Sequence, residues 1–145
     1  MAINSIFDIA GSALSAQSVR LNTTASNLAN AESASSSIDE TYRARKPVFA
    51  AIQQDALADA VRGDINQEAS RGVEVLGIVE SQDPLQRRYE PDHPMADEQG
   101  YVFYPNVNVV EEMADMMSAT RSFQINTEVL NSAKTMMQRL LTLGQ

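Results

Sequence analysis

The sequence predicts an α+β chain in which long N- and C-terminal helices pair as a coiled-coil-like assembly domain and enclose a small β-rich middle insert. Two observations carry this expectation. Apolar residues fall at alternating steps of three and four at both ends of the chain, and the stretch between the ends has no such rhythm. The implied organisation is an N-terminal assembly helix over 1–31, a loop and β-rich region over 32–105, and a C-terminal assembly helix over 106–145 that pairs with the first. Helices that can pair with each other and with neighbouring copies suit a self-assembling tube or rod better than an enzyme built around a central core.

The N-terminal stripe reads Ile3, Phe7, Ala10, Leu14, Gln17, Leu21, Thr24, Leu28 and Ala31. A period near 3.5 places these residues on one helical seam. Its helix propensity is poor, because Ser12, Ser15, Ser18, Asn22, Thr23, Thr24, Ser26 and Asn27 offer competing local hydrogen bonds. Between Ile9 and Ala31 the one charged side chain is Arg20. A helix face open to water usually carries Glu and Lys. Small neutral polar groups instead suit a surface buried against other helices, where hydroxyls and amides find partners without the cost of desolvating a charge.

Glu32 to Ser37 is rich in Ser and Ala and reads as a flexible loop. Tyr42 to Ile52 is expected to be a strand or an extended arm, and Asp55 to Arg62 a short helical turn or a loop. Val73, Val75, Leu76, Ile78 and Val79, bounded by Gly72 and Pro84, predict a strand, with Leu85 to Tyr89 as its expected partner. Pro91 to Pro94 marks a turn, and Gly100 to Pro105 an aromatic extended segment. Asn108 is the expected N-cap of the last helix, with Glu111, Glu112 and Asp115 near its positive end and Gly144 able to close it. The C-terminal stripe reads Met116, Ala119, Phe123, Asn126, Leu130, Ala133, Met137 and Leu140. A second line, Ile125, Val129, Met136 and Leu143, runs beside it, so this helix is expected to have two neighbours.

Several function classes lose support on composition. A formal net charge of −8 with no basic stripe argues against nucleic acid. Arg43, Arg45 and Lys46 form the densest basic group and read as a solvated strand edge. Absence of Cys excludes disulfides and thiolate metal sites. No apolar run approaches the roughly 20 residues needed to span a bilayer, and no basic n-region precedes an apolar run as a secretory signal requires. His93 is the one histidine. Asp92, His93, Asp97 and Glu98 match no recognised metal-ligand spacing, and Pro91 and Pro94 suggest a rigid turn instead. Glycine spacing gives no phosphate loop, so neither a catalytic site, a metal site nor a cofactor is expected.

The segment from His93 to Met113, HPMADEQGYVFYPNVNVVEEM, closely resembles the signature of the FlgC-type bacterial flagellar basal-body rod proteins. Ser12 to Gln17 and Ala25 to Ala31 are similar to the motif shared by flagellar rod and hook proteins generally. Tyr42 to Phe49 and Ser118 to Gln145 also look like this family, so the resemblance spans most of the chain except roughly Asp55 to Glu68. One departure is Ser33 to Ser37, where many relatives place a Thr-Pro-Gly turn.

The resemblance implies a non-enzymatic subunit of the proximal rod, whose terminal helices pair in an inner layer around an axial channel. It implies copies of itself and other rod subunits as partners, a basal-body location across the periplasm, and export through the flagellar type III apparatus without a cleaved signal. Assembly-interface candidates are Phe7, Leu14, Leu21, Asn27, Leu28, Asn30, Met116, Phe123, Asn126, Leu130, Met137 and Leu140. Ile3, Ile6 and Phe7 are export-signal candidates. Asn27 and Asn30 are expected to hydrogen-bond across helix contacts, with helix-end capping as the alternative. The competing reading is a soluble helical binding module, such as an export chaperone, whose stripes hold a client.

Overall fold

A computed structural model describes residues 2–52 and 72–143 of the chain. Expectations for Asp55 to Arg62 and for Gly144 fall outside these residues, as do those that concern the side chains of Ile3 and Leu143. The element order is α1 (Ala2–Ala29), β1 (Arg45–Ala51), β2 (Val73–Glu80), β3 (Gln86–Tyr89), β4 (Tyr101–Tyr104) and α2 (Val109–Leu143). At about 1.5 Å per residue the helices extend about 42 and 52 Å, so α2 is the longer rod. Asn27 of α1 meets Glu112, and Arg20 meets Asp115 further along α2, so the two helices run antiparallel.

The seam between the helices is built largely from small side chains. Ala10, Ala16, Ala119 and Ala133 are buried, and Ala119 has no exposed surface at all. A side chain of one carbon leaves room for two helix backbones to approach closely. Met116, Phe123, Asn126, Leu130 and Met137 are half-buried beside the buried Ala119 and Ala133, which makes most of the C-terminal stripe the inward face of α2. On α1, Phe7, Leu14, Gln17, Leu21 and Leu28 are half-buried, and Ala10 and Thr24 of the same stripe are buried.

Asn108 caps α2 as expected: its Oδ1 accepts from the backbone N–H groups of Val110 and Glu111. The α1 helix gives way to turns at Asn30 and Ala31, within the usual spread for helix ends. Within the described chain the Asn30 Nδ2 donates to the Ser26 carbonyl of its own helix, as the capping alternative has it. The loop that follows is tied to β4 at Ser35. Ser35 is buried and exchanges two backbone hydrogen bonds with Phe103, extending the β4 edge.

Strand pairing differs from expectation. Leu85 to Tyr89 was the expected partner of the Val73 strand, but β2 pairs antiparallel with β1, and β3 pairs with β4. The reason lies in the Pro91–Gly100 turn. Asp97 Oδ1 accepts from the N–H groups of Gln99 and Tyr101, and His93 Nδ1 accepts from the Met95 N–H, which folds the chain back into a tight hairpin. Arg87 stacks over Tyr101 with its guanidinium carbon 3.6 Å from the ring centroid, and Arg88 lies over Tyr104. Both cross-strand stacks favour the β3–β4 pairing. The β1–β2 ribbon carries a bulge at Val48/Phe49.

The ribbon is anchored to α1 at Gly72. There φ is +131°, and a Cβ would fall on the Ser12 hydroxyl, which accepts from the Val73 N–H and donates to the Ile9 carbonyl. Gly72→Ala is therefore expected to lower stability by about 1–3 kcal/mol, seen as a reduced thermal midpoint. An unchanged midpoint would show that this anchor contributes nothing.

Candidate functional site: a polar junction and exposed apolar faces

The chain's best-organised polar site is centred on Asn27, which is 1% exposed. Its Nδ2 donates to the Arg45 carbonyl at 2.8 Å and to Glu112 Oε1 at 2.9 Å. Its Oδ1 accepts from the Arg45 N–H and from the Tyr42 hydroxyl, both at 2.9 Å. One amide thus uses both donors and both lone pairs to join α1, the start of β1 and the first turns of α2. Its bond to Glu112 crosses between the helices, as expected of Asn27.

Around this amide each charged side chain reaches to a different element. Arg20, the lone charge on the neutral face of α1, meets Asp115 at 2.6 Å. Lys46 meets Glu111 at 3.5 Å, and Arg45 meets Glu80 at 3.3 Å. Arg45 and Lys46 are exposed on β1, as on a solvated strand edge, and are also tied to neighbouring acids, while Arg43 donates to the Ser81 carbonyl. These pairs are half-exposed, and each contributes at most about 1 kcal/mol. The acids at the start of α2, attributed to the helix dipole, also serve as cross-element partners.

Asn106 forms a second junction. Its Oδ1 accepts from the Ala44 N–H at 2.8 Å, and its Nδ2 donates to the Asp83 carbonyl at 2.9 Å. Sequence reasoning did not single out Asn106, Tyr42 or the Arg20–Asp115 pair. Arg20 carried a signal, as the one charge among neutral side chains, but a short-range pattern does not identify a partner 95 residues away.

The apolar faces form the other half of the site. Beside the inward stripe of α2, Met117 is 74% exposed, Ile125 52%, Val129 41% and Met136 60%. Leu140, an interface candidate, is also outward at 54%. Ile6 and Ile9 are exposed on α1, and Leu76, Ile78 and Val79 on the ribbon. Ser15, Ser18 and Asn22 are exposed on α1, while Thr23, Thr24 and Asn27 are buried within the chain. The neutral face is thus divided between internal partners and open surface. Among the described residues, no helix is long and apolar enough to cross a membrane, and no group of acids with His93 is arranged to hold a metal.

Comparison with known proteins gives these features a family. A family model described as flagella basal body rod protein matches residues 7–32, and one described as the C-terminal part of flagellar basal body rod FlgEFG proteins matches residues 98–143. The chain is 52% identical over 145 residues to the flagellar basal-body rod protein FlgC of Salmonella typhimurium, covering all of both chains. This chain belongs to the FlgC family of flagellar basal-body rod proteins. It is 45% identical to FlgC of Yersinia enterocolitica with full coverage of both, and 32% identical to FlgC of Borreliella burgdorferi, covering all of this chain and 99% of the other. The two family models fall on α1 and on β4 with α2, so the matched segments are those joined at Asn27 and along the helical seam.

Within this FlgC-family seam one polar atom is unsatisfied. Gln17 lies on the inward stripe of α1, and its Oε1 is buried with no hydrogen-bond partner among the described residues. An orphaned buried acceptor costs about 1–3 kcal/mol. Gln17→Leu is expected to raise the thermal midpoint of the full chain in calorimetry. A lowered midpoint would mean that the amide contributes more through its other atoms than its orphaned oxygen costs.

Proposed function

We propose that this chain is a structural subunit of the proximal rod of the bacterial flagellar basal body, assembling through its terminal helices and carrying torque along the axis. Full-length similarity to basal-body rod proteins is the observation that carries this reading. The surface of α2 supports it. Burying a Leu- or Met-sized side chain contributes about 1.5–3 kcal/mol, and Met117, Ile125, Val129 and Met136 are all left open in the single chain. Covered by neighbouring rod subunits or other copies, this row would supply the cohesion of the assembly. No enzymatic step belongs to the reading.

Passage through the flagellar type III apparatus, without a cleaved signal, belongs to the same proposal, with Ile3, Ile6 and Phe7 as candidates for the recognised segment. Ile6 is exposed at the start of α1, and Phe7 is half-buried there. The exposed row Ile125, Val129 and Met136, at steps of four and seven, supports a coiled-coil geometry between subunits. No observation favours the alternative of an export chaperone.

Burial also separates two interface candidates, Leu130 and Met137, from the second apolar line beside them. Leu130 and Met137 are half-buried, so a charge there would damage the chain's own fold, whereas Val129 and Met136 are exposed. Val129→Asp with Met136→Asp is expected to leave the circular dichroism of the purified chain unchanged and to leave basal bodies without a completed rod in electron micrographs. Normal rods in cells carrying this variant would overturn the assignment of the outer row to assembly.

A further inference from the structure

The inward stripe of α2 outlasts the helix it packs on. α2 has 35 residues to the 28 of α1, and the two run antiparallel with Asn27 bonded to Glu112 and Arg20 to Asp115. Equal steps along both helices from these two contacts bring the start of α1 opposite α2 between Ala133 and Met137. Burial fades at that point. Ala133 is buried and Met137 half-buried, but Leu140, next on the same stripe, is exposed, with Leu141 beside it at 69%. From Met137 to Leu143 the helix adds about 9 Å, or about 1.7 turns, past the end of α1. This tip is also locally basic. From Val129 to Leu143 the charged side chains are Lys134 and Arg139, both exposed, and no ion pair among the described residues holds either. Asp8 is the one acid on α1.

The opposite end of the helix pair has a matching form. Past the last turn of α1, a cleft of about 730 Å³ opens between the 33–43 loop, the Arg45–Glu80 end of the ribbon and Met95. Ile38 and Met95, both exposed, give it apolar walls, and Asp39 and Glu40 lie exposed beside them. In the cleft Arg45 is held by Glu80, and Arg43 donates to the Ser81 carbonyl. No ion pair among the described residues holds Asp39, Glu40 or the neighbouring Glu32. A helix is about 10–12 Å across with its side chains, so this volume holds about one to two turns, the length that α2 leaves uncovered.

We propose that the basic, leucine-tipped end of α2 in one copy seats in the acidic end cleft of a second copy, giving a head-to-tail contact along the helix axis. The charges disfavour the symmetric arrangements: two tips would set Arg139 against Arg139, and two clefts would set Asp39 and Glu40 against their like. Tip in cleft pairs opposite signs and covers Leu140 and Leu141 with Ile38 and Met95. A contact between two different patches of one chain leaves a free patch at each end, so it repeats from copy to copy instead of closing as a symmetric pair. This contact deepens the rod reading, on which it rests, by naming an end-on surface distinct from the outer row of α2.

The full-length chain has no Cys, so introduced thiols report contacts without background. Ile38→Cys with Leu141→Cys in one chain, oxidised at high protein concentration, is expected to give a ladder of dimers, trimers and longer species whose peptides join position 38 to position 141. These positions lie at opposite ends of a helix pair about 40 Å long, too far apart for a bridge within one chain. Arg139→Glu in that chain should cut the ladder several-fold, and Asp39→Arg with Glu40→Arg added to it should restore the yield. All three side chains are exposed, and unchanged circular dichroism would show the fold intact. Bridges joining 38 to 38 or 141 to 141, no ladder, or a ladder indifferent to Arg139→Glu would each overturn the contact. Rods completed in cells with the natural chain and missing in cells without it would uphold the rod reading even where the ladder fails, so the two fail separately.

Discussion

The requirement that a buried amide satisfy all its hydrogen bonds governs this structure. Asn27 has two donors and two acceptor lone pairs and no access to water, so every partner it lacked would cost about 1–3 kcal/mol. It finds all four in three residues from two distant parts of the chain: Tyr42 and Arg45 at the start of the ribbon, and Glu112 on α2. This position thereby fixes how far α2 slides along α1 and where β1 leaves the helix pair. The alanine seam alone would tolerate neighbouring registers, because small side chains discriminate weakly between them. The amide supplies the specificity that the seam lacks.

A chain of this kind divides its apolar surface between internal cohesion and assembly. The inward stripe of α2 is used on α1, and the row beginning at Met117 is left over. Methionine suits such a surface because its flexible, polarizable side chain adapts to neighbours of slightly different shape. The ribbon and hairpin sit outside the helical pair, held by Gly72 against Ser12, by Asn106 and by Ser35 against Phe103. The helices and the aromatic strand before α2 are also the segments matched by the two family models.

The sequence carried the helices clearly, since a stripe such as Ala119, Phe123, Asn126, Leu130 and Ala133 depends on residues three or four apart and reports one face directly. Asn108 was equally readable, because capping is local. Strand pairing was not: Val73 to Val79 could be recognised as a strand, but its partner was decided by the Asp97 turn and by arginine stacks that draw β3 onto β4. The polar junction was half-legible. Asn27 stood out within a motif, whereas Glu112 had a sufficient local explanation in the helix dipole, and only the folded chain brings it to Asn27 across 85 residues.

The most direct test of this account is amide hydrogen exchange of the full-length chain carrying Asn27→Ala, compared with the natural chain. The account predicts that protection falls together at Arg45 and through the first turns of α2, while the β3–β4 hairpin keeps its protection. Loss confined to Arg45, with the start of α2 as protected as before, would contradict the claim that one buried amide sets the register between the helices and the ribbon.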